Sequence, residues 1–262
     1  MKITIRSRIF FTCLILVLTG QPLAQTSSFN PVTTEMLTNP SPDDWLMLGR
    51  TYDEQRFSPL DEVNRDNVDE LQMVWSRGMP DGTQQTIPTV YDGVMYLISP
   101  INSVVAMDAT NGDLIWEYNR EAPEGVRLSA IRGISSKSLA IYHDMIYYTS
   151  PDGYLVALDA KDGSVRWEVE SYEPGSGSKN SSAPIVVEGN VITARACRNY
   201  ANCYIGANDA MTGEEVWRFH TAAGEGDYGG DSWGNVPTEN RVASPWGLPG
   251  SYDPDSGLIY WG

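Results

Sequence analysis

The sequence predicts an all-β chain, a β-propeller of four-stranded blades. Three observations carry this. An eleven-residue motif occurs three times, as AMDATNGDLIW over Ala106–Trp116, ALDAKDGSVRW over Ala157–Trp167 and ANDAMTGEEVW over Ala207–Trp217. Ala, Asp, Ala, Gly and Trp hold the same offsets in all three, and the tryptophans stand 51 and 50 residues apart, a period typical of propeller blades. Further apolar runs lie upstream of the motifs: Val94–Leu97, Met145–Tyr148, and Val186-Val187 with Val191-Ile192. Four short strands therefore fall in every period. Finally, 8 Trp and 14 Tyr against 5 Phe suit strands rich in amphipathic aromatics.

Each element has a local reason. Met1–Gln25 has the layout of a secretory signal: Lys2, Arg6 and Arg8, then the apolar run Ile9–Leu18, then Ala24 at the expected cleavage position. The run is too short to span a bilayer, and a retained N-terminal anchor is the lesser alternative. A periplasmic or secreted protein with no membrane span after cleavage is expected. Residues 26–42 are rich in Ser, Thr, Pro and Asn and read as a flexible lead-in. The folded part is expected over 43–262, with one short helix at Asn64–Leu71 and a first strand at Leu71–Ser76.

The repeat hairpins are expected at 104–118, 155–169 and 204–219. Asp108, Asp159 and Asp209 start their turns, because a short carboxylate bonds backbone amides two residues on. Gly112, Gly163 and Gly213 supply a positive φ where the chain reverses. Ser171–Ser182 reads as a Gly/Ser loop, and Ala222–Arg241 as a surface insertion whose Asp227 and Asp231 are solvated. Tyr252–Pro254 is a turn and Leu258–Trp261 begins another strand. Three full repeats and two partial ones do not close a ring, so about half of a propeller is expected.

Charge and motifs exclude several classes. A net charge of −16 and a pI near 4.4 argue against nucleic acid and against anionic membrane surfaces. No nucleotide-binding glycine loop, HExxH or GxSxG is present. His143 reads as a hairpin-turn residue and His220 as a strand end. Cys13 leaves with the signal, so Cys197 and Cys203 remain as a pair in an oxidising compartment. A disulfide is the first reading, and metal binding by the pair the weaker one.

The opening WLMLGRTYDEQRFSPLDEVNRDNV, the repeated AxDAxxGxxxW and the closing GSYDPDSGLIYWG closely resemble the quinoprotein alcohol and methanol dehydrogenases. These are periplasmic eight-bladed propellers that use pyrroloquinoline quinone (PQQ), usually with Ca²⁺, to oxidise alcohols and pass electrons to a cytochrome c. The likeness runs from about Asp43 to Gly262 and covers roughly the N-terminal half of such an enzyme. It implies that Trp116, Trp167 and Trp217 dock each blade on the next. It implies cofactor contacts at Gln85, three residues before Pro88, and at Lys137, where the family has Arg. Lysine keeps the charge and loses the planar fork.

Ser181, three residues before Pro184, matches a further hydroxyl contact, and Trp246 the indole on which the quinone stacks. The TARAC segment places Arg195 where a cofactor carboxylate could meet it and leaves Asn199 as the nearest oxygen donor for a metal. The adjacent cysteines found in many members are replaced by Ile131-Arg132. The family's calcium-binding Asn and catalytic Asp fall beyond Gly262, so no catalytic residue is assigned in this chain and its enzymatic status is open. A non-catalytic propeller scaffold and a truncated gene product are the competing readings.

Overall fold

The computed structural model describes residues 29–100, 102–121, 136–172, 176–179, 182–245 and 248–262. Three antiparallel sheets follow one another along the chain. The first contains β1 (Thr89–Tyr91), β2 (Val94–Ile98), β3 (Val104–Asp108) and β4 (Leu114–Tyr118). The second contains β5 (Ala140–Tyr142), β6 (Met145–Thr149), β7 (Tyr154–Asp159) and β8 (Val165–Glu170). The third contains β9 (Ile185–Val187), β10 (Asn190–Ala194), β11 (Tyr204–Asp209) and β12 (Glu215–His220). Within each, strands pair in chain order as a meander, and a last hairpin joins β13 (Ser251–Asp253) to β14 (Leu258–Tyr260). These are blades, as the sequence period predicts.

Every position of the repeated motif has a structural reason. Its first Ala faces its Trp across the β3–β4, β7–β8 and β11–β12 pairs. A bulge follows that pair in each sheet and swings the chain into the turn. The Asp carboxylate accepts from the amide two residues on, at Thr110, Lys161 and Met211. The second Ala donates its amide to the β1–β2, β5–β6 or β9–β10 turn of its own sheet, at Gly93, Asp144 and Gly189.

The Gly and the Trp join neighbouring sheets. The three glycines take φ between 74° and 78°, and a Cβ on Gly163 would come within 2.6 Å of the Trp116 ring. Trp116 Nε1 donates to the Ala160 carbonyl at 3.0 Å, and Trp167 Nε1 to the Ala210 carbonyl at 3.0 Å. Each indole thus lies on the glycine turn of the following sheet. Trp75 does the same to the first sheet, through Gly112 and the Ala109 carbonyl. Trp217 is 39% exposed, with no such turn opposite it among the described residues.

A second clamp was not foreseen. Tyr96 Oη donates to the Ala160 carbonyl at 3.2 Å and Tyr147 Oη to the Ala210 carbonyl at 3.1 Å. Each of these carbonyls therefore accepts from an indole and a phenol of the preceding sheet. Tyr96→Phe should cost about 1 kcal/mol, read as a lower urea midpoint at unchanged slope. No change would mean that the indole alone satisfies the carbonyl.

The N-terminal stretch differs from expectation. Residues 29–57 are a strap across the turn end of the inner strands. Val32 bridges to His143, Trp45 bridges to Val90, and the Tyr252 amide donates to the Tyr52 carbonyl. Tyr52 Oη donates to the Val186 carbonyl at 2.6 Å. The strap thus reaches the inner strands of all three sheets and the last hairpin. It contains α1 (Thr34–Thr38), capped by Thr33, inside the stretch read as a flexible lead-in. Buried Val32, Leu37 and Leu46 anchor it; sparse apolar residues in a polar setting hide this from composition.

The expected helix at Asn64–Leu71 narrows to a 3-10 turn at Val68–Glu70. The segment Leu71–Ser76 has no strand pairing among the described residues. His143 sits in the β5–β6 turn with φ 55°, and His220 ends β12, as read from the sequence.

Candidate functional site

In each meander the inner strand starts at the end opposite the strap. Gln85 lies on the approach to β1, and Lys137 on the approach to β5. These approaches run side by side: the Ile87 amide donates to the Lys137 carbonyl at 2.8 Å. Hydroxyls extend the seam. Thr86 Oγ1 donates to the Ser136 carbonyl, Ser138 Oγ to the Ile87 carbonyl and Thr89 Oγ1 to the Leu139 carbonyl. Ser136 Oγ reaches the Ser182 carbonyl on the approach to β9. No sequence motif marks this row of small hydroxyls, although Thr86, Ser136, Ser138 and Ser182 all fall just before inner strands.

Register brings Gln85 and Lys137, 52 residues apart, into contact, with Lys137 Nζ donating to Gln85 Oε1. No carboxylate pairs with Lys137 among the described residues. Its charge is met by a neutral amide and by solvent.

Arg195 directly follows β10. Because Ile192 pairs with Ile185, the end of β10 lies beside the start of β9, so Arg195 is at the same end of the sheets. It is 2% exposed. Its Nη1 donates to the Ser171 carbonyl and its Nη2 to Thr193 Oγ1 at 3.2 Å. The Tyr204 ring lies 3.6 Å beneath the guanidinium carbon. Arg195 Nε has no hydrogen-bond partner among the described residues, and burial pushes the guanidinium below its ordinary range, against the electrostatic help of Tyr204.

A disulfide joins Cys197 to Cys203 across a Cα separation of 5.1 Å. It closes the loop that starts just after Arg195. Inside the loop, Asn199 Oδ1 accepts from the Asn202 amide at 3.0 Å and caps a 3-10 turn. Among the described residues no group of three or more His, Cys, Asp or Glu side chains is arranged to hold a metal ion. Ser181, Trp246 and Ile131-Arg132 lie outside the described residues.

The family model for the β-propeller domain of PQQ-type glucose/ethanol/alcohol dehydrogenases matches residues 45–262. The chain belongs to this family. Among relatives of the PQQ-type propeller, the dehydrogenase subunit of a quinone-type alcohol dehydrogenase from Komagataeibacter europaeus is 31% identical over 244 residues, covering 84% of this chain and 33% of the relative. Quinoprotein alcohol dehydrogenase PedH from Pseudomonas putida is 31% identical over 268 residues, covering 94% and 44%. The solved quinohemoprotein alcohol dehydrogenase ADHIIG from Pseudomonas putida HK5 superposes with a TM-score of 0.76 at 30% identity, over 88% of this chain and 36% of that one. A europium-containing methanol dehydrogenase gives 0.72 at 25% identity, over 85% and 42%. The chain spans about a third of the length of the first of these relatives. Among the described residues no helix is long and apolar enough to cross a membrane.

Proposed function

We propose that this chain supplies the cofactor-binding part of a periplasmic PQQ-dependent dehydrogenase that oxidises an alcohol and hands the electrons to a cytochrome c. One observation carries the reading: a −16 chain keeps Lys137 and Arg195, neither with a carboxylate partner among the described residues, where its inner strands begin. A polyanionic planar quinone fits such donors. The orphaned Arg195 Nε supports the fit, since a buried guanidinium nitrogen favours an anionic acceptor.

In this reading Lys137 and Arg195 hold carboxylates and Gln85 donates an amide hydrogen bond to the ring system. Ser181 adds a hydroxyl, and Trp246 gives the ring its aromatic floor. Bound PQQ supplies the hydride acceptor. For a metal the described residues do not suffice, because Asn199 Oδ1 is the one assigned donor and caps its own turn. Calcium needs six to eight oxygens.

Titration with PQQ, followed by tryptophan fluorescence, tests this. Saturable quenching is expected, with affinity about tenfold weaker in Lys137→Met, the equivalent of about 1.4 kcal/mol. Absence of quenching would favour the scaffold reading, and equal affinity in the variant would remove Lys137 from the site.

A further inference from the structure

At the strap end of the sheets, opposite the approaches to β1, β5 and β9, a cleft opens between the strap and the β13–β14 hairpin. Its volume is about 430 Å³, within the range of small-molecule pockets, about 300–1,000 Å³. Tyr52, Phe57, Tyr252 and Pro254 give it apolar surface, and Arg50 lines it as well.

The aromatic part is fixed from within the protein. Tyr52 Oη donates to the Val186 carbonyl at 2.6 Å, and Tyr252 Oη to Glu188 Oε1 at 3.1 Å. The two rings meet edge to face with centroids 5.2 Å apart. Their hydroxyls are thus engaged on the third sheet, and ring carbon is what they turn to the cleft. Phe57, beside them, is 68% exposed, so its ring still has apolar area to give up to a ligand.

Arg50 is 8% exposed. Its Nη2 donates to the Pro40 carbonyl at 3.2 Å and to the Ser41 carbonyl at 3.0 Å. No carboxylate pairs with it among the described residues. Asp53, the carboxylate in the lining of the cleft, accepts from Thr51 Oγ1 at 2.6 Å instead. Two neutral carbonyls therefore orient the guanidinium and leave its charge unbalanced. A fixed planar fork of donors suits a carboxylate.

The backbone that brings these groups together is strained. Arg50, Glu54 and Arg56 take φ of 72°, 56° and 55°, the left-handed region that non-glycine residues rarely adopt. The turn is closed by the Arg56 amide, which donates to the Gly49 carbonyl at 3.0 Å, and by the Glu54 amide, which donates to the Thr51 carbonyl at 3.0 Å. Strain of this kind gathers at ligand clamps. Here it sets Arg50 and Phe57 on one cleft.

We propose that this cleft binds a small carboxylate that carries an aromatic ring, with Arg50 taking the carboxylate and Phe57, Tyr52 and Tyr252 the ring. A bare anion would leave Phe57 in water, and a neutral arene would leave the guanidinium without a counter-charge. The inference is independent of the cofactor reading, because the cleft lies at the other end of the sheets from Gln85, Lys137 and Arg195 and shares no residue with them.

The test is calorimetric titration of the full chain with 3-phenylpropionate, with its neutral isostere 3-phenylpropionamide, and with acetate. Saturable binding of 3-phenylpropionate is expected, with the amide about tenfold weaker and acetate showing no binding over the same concentrations. Phe57→Ala, a change at the surface, should weaken binding of the acid about tenfold. Arg50→Met should bring acid and amide to equal affinity. Lys137→Met, at the opposite end, should bind the acid as wild type does. No saturable binding, equal affinity of wild type for acid and amide, acetate binding as well as the aromatic acid, or full affinity in Phe57→Ala overturns the site. Loss of binding in Lys137→Met also overturns it, because the anion then sits at the cofactor end. Should Arg50→Met not fold, the acid–amide comparison in wild type and the Phe57→Ala titration decide the matter without it.

Discussion

Trp116→Ala is expected to destabilise the protein by about 3–5 kcal/mol. The indole is 8% exposed, lies on the Gly163 turn and bonds the Ala160 carbonyl. Its removal leaves a cavity between two sheets and takes one of two donors from that carbonyl. Because Gly163 has a positive φ and no Cβ, nothing there can move in to fill the gap. Urea denaturation reads the effect as a lower midpoint at unchanged slope. A loss below about 1 kcal/mol, the scale of one hydrogen bond, would show that the indole does not fasten the sheets. The same change at the 39% exposed Trp217 should cost far less.

Asp152→Asn should cost a similar amount, about 3–5 kcal/mol, for a different reason. Asp152 is fully buried and takes both oxygens to Arg120 Nε. Bonds to Glu168 and Asp152 hold the Arg120 guanidinium above its ordinary range although burial pulls the other way. An amide leaves that buried cation short of a counter-charge. Glu168→Gln is the control: its carboxylate is 43% exposed, so the loss should stay near 0.5 kcal/mol. Equal effects of the two substitutions would contradict the assignment of burial as the cause.

The blades were legible because a local signal repeats. Asp and the alternating runs act within one hairpin, Gly and Trp between one sheet and the next, and three copies turn weak turn chemistry into a strong period. The Cys197–Cys203 bridge was legible from count and compartment. What stayed hidden depends on partners far away in sequence. The strap is polar in composition, and Val32 finds its place only against His143. The Tyr96 and Tyr147 clamps look like ordinary strand aromatics until the neighbouring carbonyl is seen. Leu71–Ser76 has a strand's pattern, but a strand also needs a partner, and none pairs with it among the described residues.

At the site, the family motif marked Gln85, Lys137 and Arg195 individually. It did not disclose that Gln85 and Lys137 touch, nor that the Arg195 and Arg218 guanidinium groups both lie over the Tyr204 ring. Both facts arise from register between elements rather than from spacing along the chain.

The strap also bears on how quickly the native state can form. Tyr52 bonds Tyr252, so one backbone contact spans 200 residues of sequence. Such high contact order slows folding, because the entropy of closing a long loop must be overcome before the contact rewards it. The strap completes its bonds only after the β13–β14 hairpin exists, and until then the polar groups along it must be served by water.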